Sequence, residues 1–291
     1  MIAAAGYGID VSHHQGRIDW SQVAKIGITS AGNLPVSFAI LKCIYESQSH
    51  GKDDQFEANY KGCVENGIPV GVYVYHGSKS LANPISEATA LVRALNGRKL
   101  QLGIWHDLED KSLQQAGNAA IKQLLETEDA IFRNAGYNDI GIYCNKYWFD
   151  SVLDTKYLKP IYKYWWIARY LKNDNGTIPG DSMSPHKFAD AWQFSSKGRV
   201  AGIAGNVDLD VDYTGLAAAM SGDIPKPSAG DTSSKLGIKT IKVTKSLNVR
   251  KSPGMGDNII GTLPSGTKVN VTEIKGTWAK IEGYVSTKYL I

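Results

Sequence analysis

Two apolar textures alternate along the first 210 or so residues. Short runs of strand length are bounded by polar or glycine positions. They fall at Gly6 to Val11, Phe38 to Ile44, Pro69 to Tyr75, Leu102 to Glu109, Ile140 to Cys144, Trp165 to Ala168, Ala191 to Phe194 and Val207 to Leu209. Between the earlier runs, apolar residues recur every three or four positions, as in a helix with one buried face. Trp20 through Lys25 follows a capping Asp19. Phe56, Tyr60, Cys63 and Val64 follow Asp53-Asp54 and stop at Gly67. Ala88, Leu91, Val92 and Leu95 lie between Asn83-Pro84 and Gly97, while Ile121, Leu124, Leu125, Ile131 and Phe132 run to Gly136. Strands alternating with helices predict an α/β fold with a parallel sheet and helices outside. Eight strands in this length fit a closed, TIM-like β/α barrel. The crossings after Arg169 lack helical periodicity, so the barrel is expected to be irregular, with some helices missing on one side.

The texture then breaks. Residues 221–236 are small, polar and proline-containing, and read as a linker. From 237 to 291 short β segments at 238–243, 247–249, 259–263, 268–273, 278–281 and 284–285 alternate with glycine turns, as in a small all-β barrel. The expected organisation is a catalytic barrel over 1–220, the linker, and a small β domain over 237–291.

Charge divides along the same line. From Ser221 onward there are eleven Lys or Arg against five Asp or Glu; the preceding residues carry twenty-one against twenty-three. A basic tail on a nearly neutral body predicts an anionic partner for the tail. No nucleic-acid motif accompanies Lys242, Lys245, Arg250 and Lys251, and no nucleic-acid partner is expected. Met1 to Ile9 lacks a basic start and an apolar core, so no signal peptide is expected. No apolar run reaches the ~20 residues of a membrane span, so no membrane insertion is expected. Cys43, Cys63 and Cys144 are odd in number, form no C-x-x-C, and read as small buried hydrophobes.

The chemistry-bearing stretch is Ile104-Trp105-His106-Asp107-Leu108-Glu109-Asp110. On an extended strand Asp107 and Glu109 share a face. Two carboxylates whose surroundings separate their protonation can divide acid and base work on a glycosidic bond. Residues two apart on a strand lie roughly 6.5 Å apart at Cα, which leaves both the retaining and the inverting carboxyl spacings open. Other strands also end in polar or aromatic residues: Asp10, Tyr75, Tyr143, Gln193 and Asp208. In a β/α barrel the site lies at the C-terminal strand ends, so these form a ring of candidates on one rim. Tyr75, Tyr143 and Trp166 suit either core packing or stacking on sugar faces. Asp208-Leu209-Asp210-Val211-Asp212 lacks the glycine and distal glutamate of a calcium loop, and His13-His14 lacks a zinc motif. Neither a metal nor a cofactor is expected.

These motifs resemble glycoside hydrolase family 25, the Chalaropsis-type lysozymes common among phage endolysins. The resemblance rests on Gly8-Ile9-Asp10-Val11-Ser12 with Ile18-Asp19-Trp20, Gly71 to Tyr75, Asp107-Leu108-Glu109, Trp166 to Tyr170, Trp192-Gln193-Phe194 and Gly202 to Leu209. The tail resembles a bacterial SH3-type wall-binding domain through Leu247 to Arg250, Gly261-Thr262-Leu263, Trp278 to Ile281 and Gly283 to Ser286. The resemblance implies an N-acetylmuramidase that cleaves the β-1,4 bond from N-acetylmuramic acid to N-acetylglucosamine in peptidoglycan and lyses bacteria. It implies Glu109 as general acid. Asp107 is implied either as direct nucleophile or as the group that orients the substrate's 2-acetamido group for attack. Asp10 and Asp208 are implied to support substrate. An endolysin of this kind is made in the host cytoplasm and reaches the wall after a holin-type protein opens the membrane. A host autolysin, an N-acetylglucosaminidase on the same barrel and a non-catalytic wall-binding protein are the alternative readings. His106, Cys43-Ile44-Tyr45 and His76-Gly77-Ser78 depart from the family pattern and are expected at the rim, against sugar.

Overall fold

A computed structural model describes residues 4–46, 50–220, 237–244, 246–252, 258–275, 278–281 and 284–286. The linker 221–236 and the turn residues Pro253, Gly254, Gly276, Glu282 and Gly283 lie outside the described residues. Two compact units divide the chain, one over Met1–Arg133 and Tyr137–Ile224, the other built on Pro225–Ile291.

The first unit is a closed eight-stranded barrel. Its order is β1 (Gly6–Val11), α1 (Trp20–Ile26), β2 (Phe38–Lys42), α2 (Phe56–Glu65), β3 (Val70–Tyr75), α3 (Ser78–Ala82), α4 (Pro84–Leu95), β4 (Ile104–Asp107), α5 (Lys111–Ala116), α6 (Asn118–Asn134), β5 (Ile140–Asn145), α7 (Thr155–Leu158), β6 (Tyr164–Ala168), β7 (Ala191–Gly198), β8 (Val207–Asp212) and α8 (Leu216–Ala219). Strands β1 to β7 pair in parallel, in sequence order. Strand β8 corrects the parallel expectation: it runs antiparallel to both β7 and β1 and closes the barrel. Only eight residues separate β7 from β8, including Gly202 and Gly205 at positive φ, which suits a hairpin and not a crossover. The β6 to β7 connection carries only a 3-10 turn at Asp181–Met183, so helices are missing on this side, as the sequence predicts.

Strand register sorts the side chains. Trp105 and Asp107 alternate with Ile104 and His106, so the two pairs lie on opposite faces of β4. The inner layer is filled by Phe38, Ile40, Trp105, Tyr143, Tyr164 and Trp166, with Leu216 and Met220 packed against them. Two glycines make room for the largest rings. A Cβ on Gly8 would lie 2.2 Å from the Phe38 ring, and one on Gly141 would lie 2.5 Å from the Trp105 ring. Outside, buried Ile9, Leu41, Val72, Ile142 and Ile167 form an apolar sleeve under the helices.

Helix ends follow their caps. Asn83 accepts from Ser86 N at 3.3 Å ahead of Pro84, and Asn96 closes α4 in the left-handed region. Asn83→Ala is expected to cost about 1 kcal/mol of stability, read as a fall in urea midpoint with unchanged slope. At α2 the expected cap shifts. The helix starts at Phe56, and Asp53 instead accepts from Gln55 N and from both His13 N and His13 Nδ1. Helices α3, α5, α7 and α8 are too short to leave a periodic signature in the sequence.

The second unit holds a five-stranded sheet and a two-stranded one. The strands are β9 (Gly237–Thr240), β10 (Ser246–Arg250), β11 (Ile259–Pro264), β12 (Lys268–Val271), β13 (Glu273–Lys275), β14 (Trp278–Lys280) and β15 (Tyr284–Ser286), ordered β11-β10-β15-β14-β13 and β12-β9. Ile241, Leu247, Val269, Val271 and Ala279 form its core. Among the described residues no helix is long and apolar enough to cross a membrane.

Candidate active site

Asp107 is the last residue of β4, which ends two residues before the expected Glu109. Leu108 N still bonds to Tyr143 O at 2.9 Å, but Asp110 then turns the chain by capping α5 through Ser112 N. Glu109 therefore sits in the short connection above the strand, half-buried, while Asp107 is only 5% exposed. The Asp107 Oδ1 has no protein hydrogen-bond partner. Burial first, and the Glu109 charge second, hold the Asp107 carboxyl well above its ordinary range, against the pull of Lys42. Burial and then the Asp110 charge raise Glu109.

Across the barrel mouth, antiparallel pairing sets Asp10 of β1 directly opposite Asp208 of β8. The sequence puts Asp208 among the strand ends. It lies instead at the start of β8, and it reaches the rim because that strand is reversed. Asp10 accepts from Gln193 Nε2 at 2.7 Å. Tyr143 OH donates to Gln193 Oε1 at 2.8 Å, and Tyr170 OH donates to the same oxygen. This network fixes the amide so that its NH2 faces Asp10. Burial, followed by the charges of Asp208 and Asp210, raises Asp10 well above the usual carboxylate range. Asp208 is pushed up to about 6 by burial and then by Glu109 and Asp174.

The fifth carboxylate, Asp210, is absent from the sequence-derived candidates. It is fully buried, accepts from Trp166 Nε1 at 2.9 Å, and keeps Oδ2 without a partner. Its signal was the period-two run Asp208-Leu209-Asp210, which places both acids on one strand face. Asp212 continues that face, but its carboxylate accepts from Thr214, Gly215 and Leu216 N and holds the turn into α8. Lys42, at the end of β2, and Tyr170, just beyond β6, are further site residues that sequence reasoning missed. A lysine closing an otherwise apolar strand was the available hint for the first.

The candidate aromatics separate. Trp166 is 2% exposed and Tyr143 is buried beside it, with ring centroids 4.4 Å apart. They form the floor beneath the acids and orient Asp210 and Gln193. Tyr75 stays half-buried at the rim, its OH donating to Asp110 Oδ2 at 2.9 Å. Most of the residues that depart from the family pattern are buried and not exposed at the rim as expected, while Tyr45 is half-buried and Ser78 exposed. His76, His106, Cys43 and Ile44 are buried, and His106 takes the position on β4 that alternates with Trp105 and Asp107 and faces the helices. All three cysteines are buried and unbridged. The His13 and His14 rings lie 4.0 Å apart, with His13 held by Asp53.

Acidic groups with raised protonation, gathered at the parallel-strand ends of a β/α barrel above an aromatic floor, define a glycosidase-type site. The chain belongs to glycosyl hydrolases family 25, whose family model matches residues 9–203; that of the bacterial SH3 domain matches residues 245–291. It is similar to Lysozyme M1 of Streptomyces globisporus, at 28% identity over 73% of this chain and 69% of that protein. In fold it is similar to the catalytic domain of endolysin ply40 from bacteriophage P40 of Listeria monocytogenes, with TM-score 0.58 and 24% identity over 75% of this chain and 98% of that one. It is also similar to the modular autolysin LytC from Streptococcus pneumoniae, with TM-score 0.56 and 22% identity over 71% and 46%. The chain is thus a glycoside hydrolase of the lysozyme type, with a peptidoglycan substrate and a wall-binding tail fitting its two domains.

Proposed function

We propose that the chain is an N-acetylmuramidase that cleaves the β-1,4 bond between N-acetylmuramic acid and N-acetylglucosamine. The observation that carries the reading is the Asp107–Glu109 pair at one side of a mouth whose other side is Asp10, Asp208 and Asp210. Glu109 is the more exposed member and holds a proton to higher pH than an ordinary glutamate, as the acid that protonates the leaving oxygen must. Asp107 lies deeper, with an oxygen free to accept from substrate. It either attacks the anomeric carbon or aligns the 2-acetamido group that does so. The carboxylates opposite face the positive charge that develops on the sugar ring.

A digest of purified peptidoglycan, reduced with borohydride and analysed by mass, tests the bond assignment. Muramitol at the new ends supports it. Glucosaminitol makes the chain an N-acetylglucosaminidase, and no new reducing ends leaves a wall-binding protein. The alkaline limb of the rate profile tests the acid. Asp110→Asn keeps a helix cap but removes the charge that helps raise Glu109. Ionisation of Glu109 then comes at lower pH, and the alkaline limb of kcat/KM is expected to move in the acid direction. An unmoved limb removes Glu109 from the acid role.

The biological role that fits best is that of a phage endolysin, made in the cytoplasm and admitted to the wall by a holin-type partner. The similarity to a Listeria phage endolysin domain supports it, and the similarity to a pneumococcal autolysin supports the host-autolysin alternative. Expression inside bacteria with and without a pore-forming partner separates the two roles, since only the endolysin requires the pore. The basic tail would hold the barrel at the wall, replacing repeated encounter by an effectively intramolecular one. Removal of residues 221–291 is expected to reduce lysis of whole cells far more than cleavage of soluble wall fragments.

A further inference from the structure

Behind the catalytic strand, in an otherwise apolar sleeve, lies a second group of ionisable side chains that the hydrolytic site does not use. His106 of β4 and His76, just past β3, face each other with His106 Nδ1 and His76 Nε2 at 2.8 Å. Each ring spends its other nitrogen on a carboxylate: His76 Nδ1 on Glu87 Oε2 at 2.9 Å, and His106 Nε2 on Asp129 Oδ1 at 3.0 Å. Carboxylates accept, so those nitrogens carry the hydrogens. The two nitrogens that face each other are then both lone pairs.

Glu128 of α6 points its Oε2 at the same place, 3.6 Å from His76 Nε2 and 3.7 Å from His106 Nδ1. All three side chains are fully buried, and neither oxygen of Glu128 has a hydrogen-bond partner. With Glu128 ionised, three acceptors converge with no donor, a costly arrangement in a protein interior. A proton between the rings would satisfy the histidines, but a second proton, shared between Glu128 and Glu87, would be needed to pair Glu128. A cation satisfies all three. The three separations form a triangle whose centre lies about 2.0 Å from every corner, the zinc–nitrogen and zinc–carboxylate bond length. Histidines that bind zinc also donate their second nitrogen to a carboxylate, as both do here. Around the group, Glu87 Oε1 also faces His50 Nδ1 at 3.3 Å, and Asp129 takes Arg133 at 3.3 Å.

We propose that His76, His106 and Glu128 form a buried structural site for one divalent transition ion of the zinc type. Such an ion would tie β3 and β4 to α6. His106 precedes Asp107, and His76 N donates to Asp107 O at 3.1 Å, so the ion would also fix the end of the strand that presents the catalytic pair. With no exposed ligand, the ion would enter during folding.

The test uses the full chain, unfolded in chelator and refolded with excess zinc or without metal, then dialysed. The expected result is one bound zinc per chain by mass spectrometry and a higher Tm for the zinc-refolded protein. Cobalt(II) should give visible absorption of a low-coordinate nitrogen–oxygen site, without the near-ultraviolet band of a thiolate. Glu128→Gln and His106→Gln should weaken zinc binding at least about 100-fold, and Asp129→Asn roughly 10–100-fold. His13→Ala, at the separate His13–Asp53 pair, should leave it unchanged. A chain that refolds metal-free in excess zinc with an unaltered Tm overturns the proposal in favour of protons shared among the histidines, Glu128 and Glu87. Zinc lost in His13→Ala but kept in Glu128→Gln, or a cobalt–thiolate band, also overturns it. Where the variants do not fold, the stoichiometry and cobalt spectrum of the unaltered chain decide.

Discussion

Glu109→Gln is expected to leave the barrel folded and to lower peptidoglycan hydrolysis by roughly 10²–10⁴-fold, the range supplied by a positioned proton donor. Glutamine matches glutamate in size and still donates hydrogen bonds, but it cannot release a proton to the leaving oxygen. Substrate contact is therefore nearly preserved, and the loss should fall on kcat more than on KM. Folding should not suffer, because burial and the Asp110 charge work against the ionised form of Glu109. Chromatographic release of soluble fragments, with a thermal melt on the same sample, separates the outcomes. Activity within tenfold of the unaltered chain sinks the acid assignment. A collapsed melt would show that Glu109 holds the connection between β4 and α5 together. Asp107→Asn should lose as much activity, but for a different reason: the amide can neither attack carbon nor hold an acetamido N–H through a charge. A covalent sugar adduct on Asp107, trapped with a fluorinated substrate, would assign direct attack.

Much of this site could be read from the chain because period-two patterning survives in short strands. The apolar approach through Ile104 and Trp105 made Asp107 a strand-end residue, and the eight such runs made a barrel. What could not be read was direction. Nothing in Val207–Asp212 distinguishes a strand that crosses over from one that doubles back, and Asp208 reaches the rim from the start of a reversed strand, not from the end of a parallel one. The same ambiguity hid Asp210, which needs the antiparallel register with Gln193 to reach the network. The face of His106 is illegible for a different reason. Its neighbour Asp107 points inward, and alternation alone places a histidine on the apolar outer face, an assignment that goes against ordinary burial preferences. The pairing of His106 with His76 and Glu128 is tertiary, and no local signal carries it. The tail was legible as β structure because glycine turns punctuate it, but its strand order depends on contacts remote in sequence.

Asp208→Asn is expected to stabilise the folded chain at neutral pH and to impair it as an enzyme. The folded carboxyl titrates at about 6 against an ordinary 3.8. Below the lower value both the folded and unfolded states hold the proton, and the site costs nothing. As pH rises between the two, the folded state keeps a proton that the unfolded state has released, and relative stability falls. Above about 6 the whole penalty is in place, on the order of 2–3 kcal/mol at most. Asparagine removes that penalty and eases the ionisation of Asp10, which Asp208 and Asp210 oppose. Tm should rise by about 4–10 °C at pH 7.5, and the gain should shrink as the buffer is taken toward pH 4.5. Over the same variant kcat/KM should fall by roughly tenfold or more, since one of the charges facing the forming oxocarbenium is gone. A Tm gain that does not vary with pH would mean that Asp208 acts through packing, and unchanged kcat/KM would remove it from the charge field. The crowding of Asp10, Asp208 and Asp210 has no folding rationale of its own. A barrel mouth lined with serine or asparagine would close as well and melt higher, so what the acids provide is negative potential where a sugar cation forms.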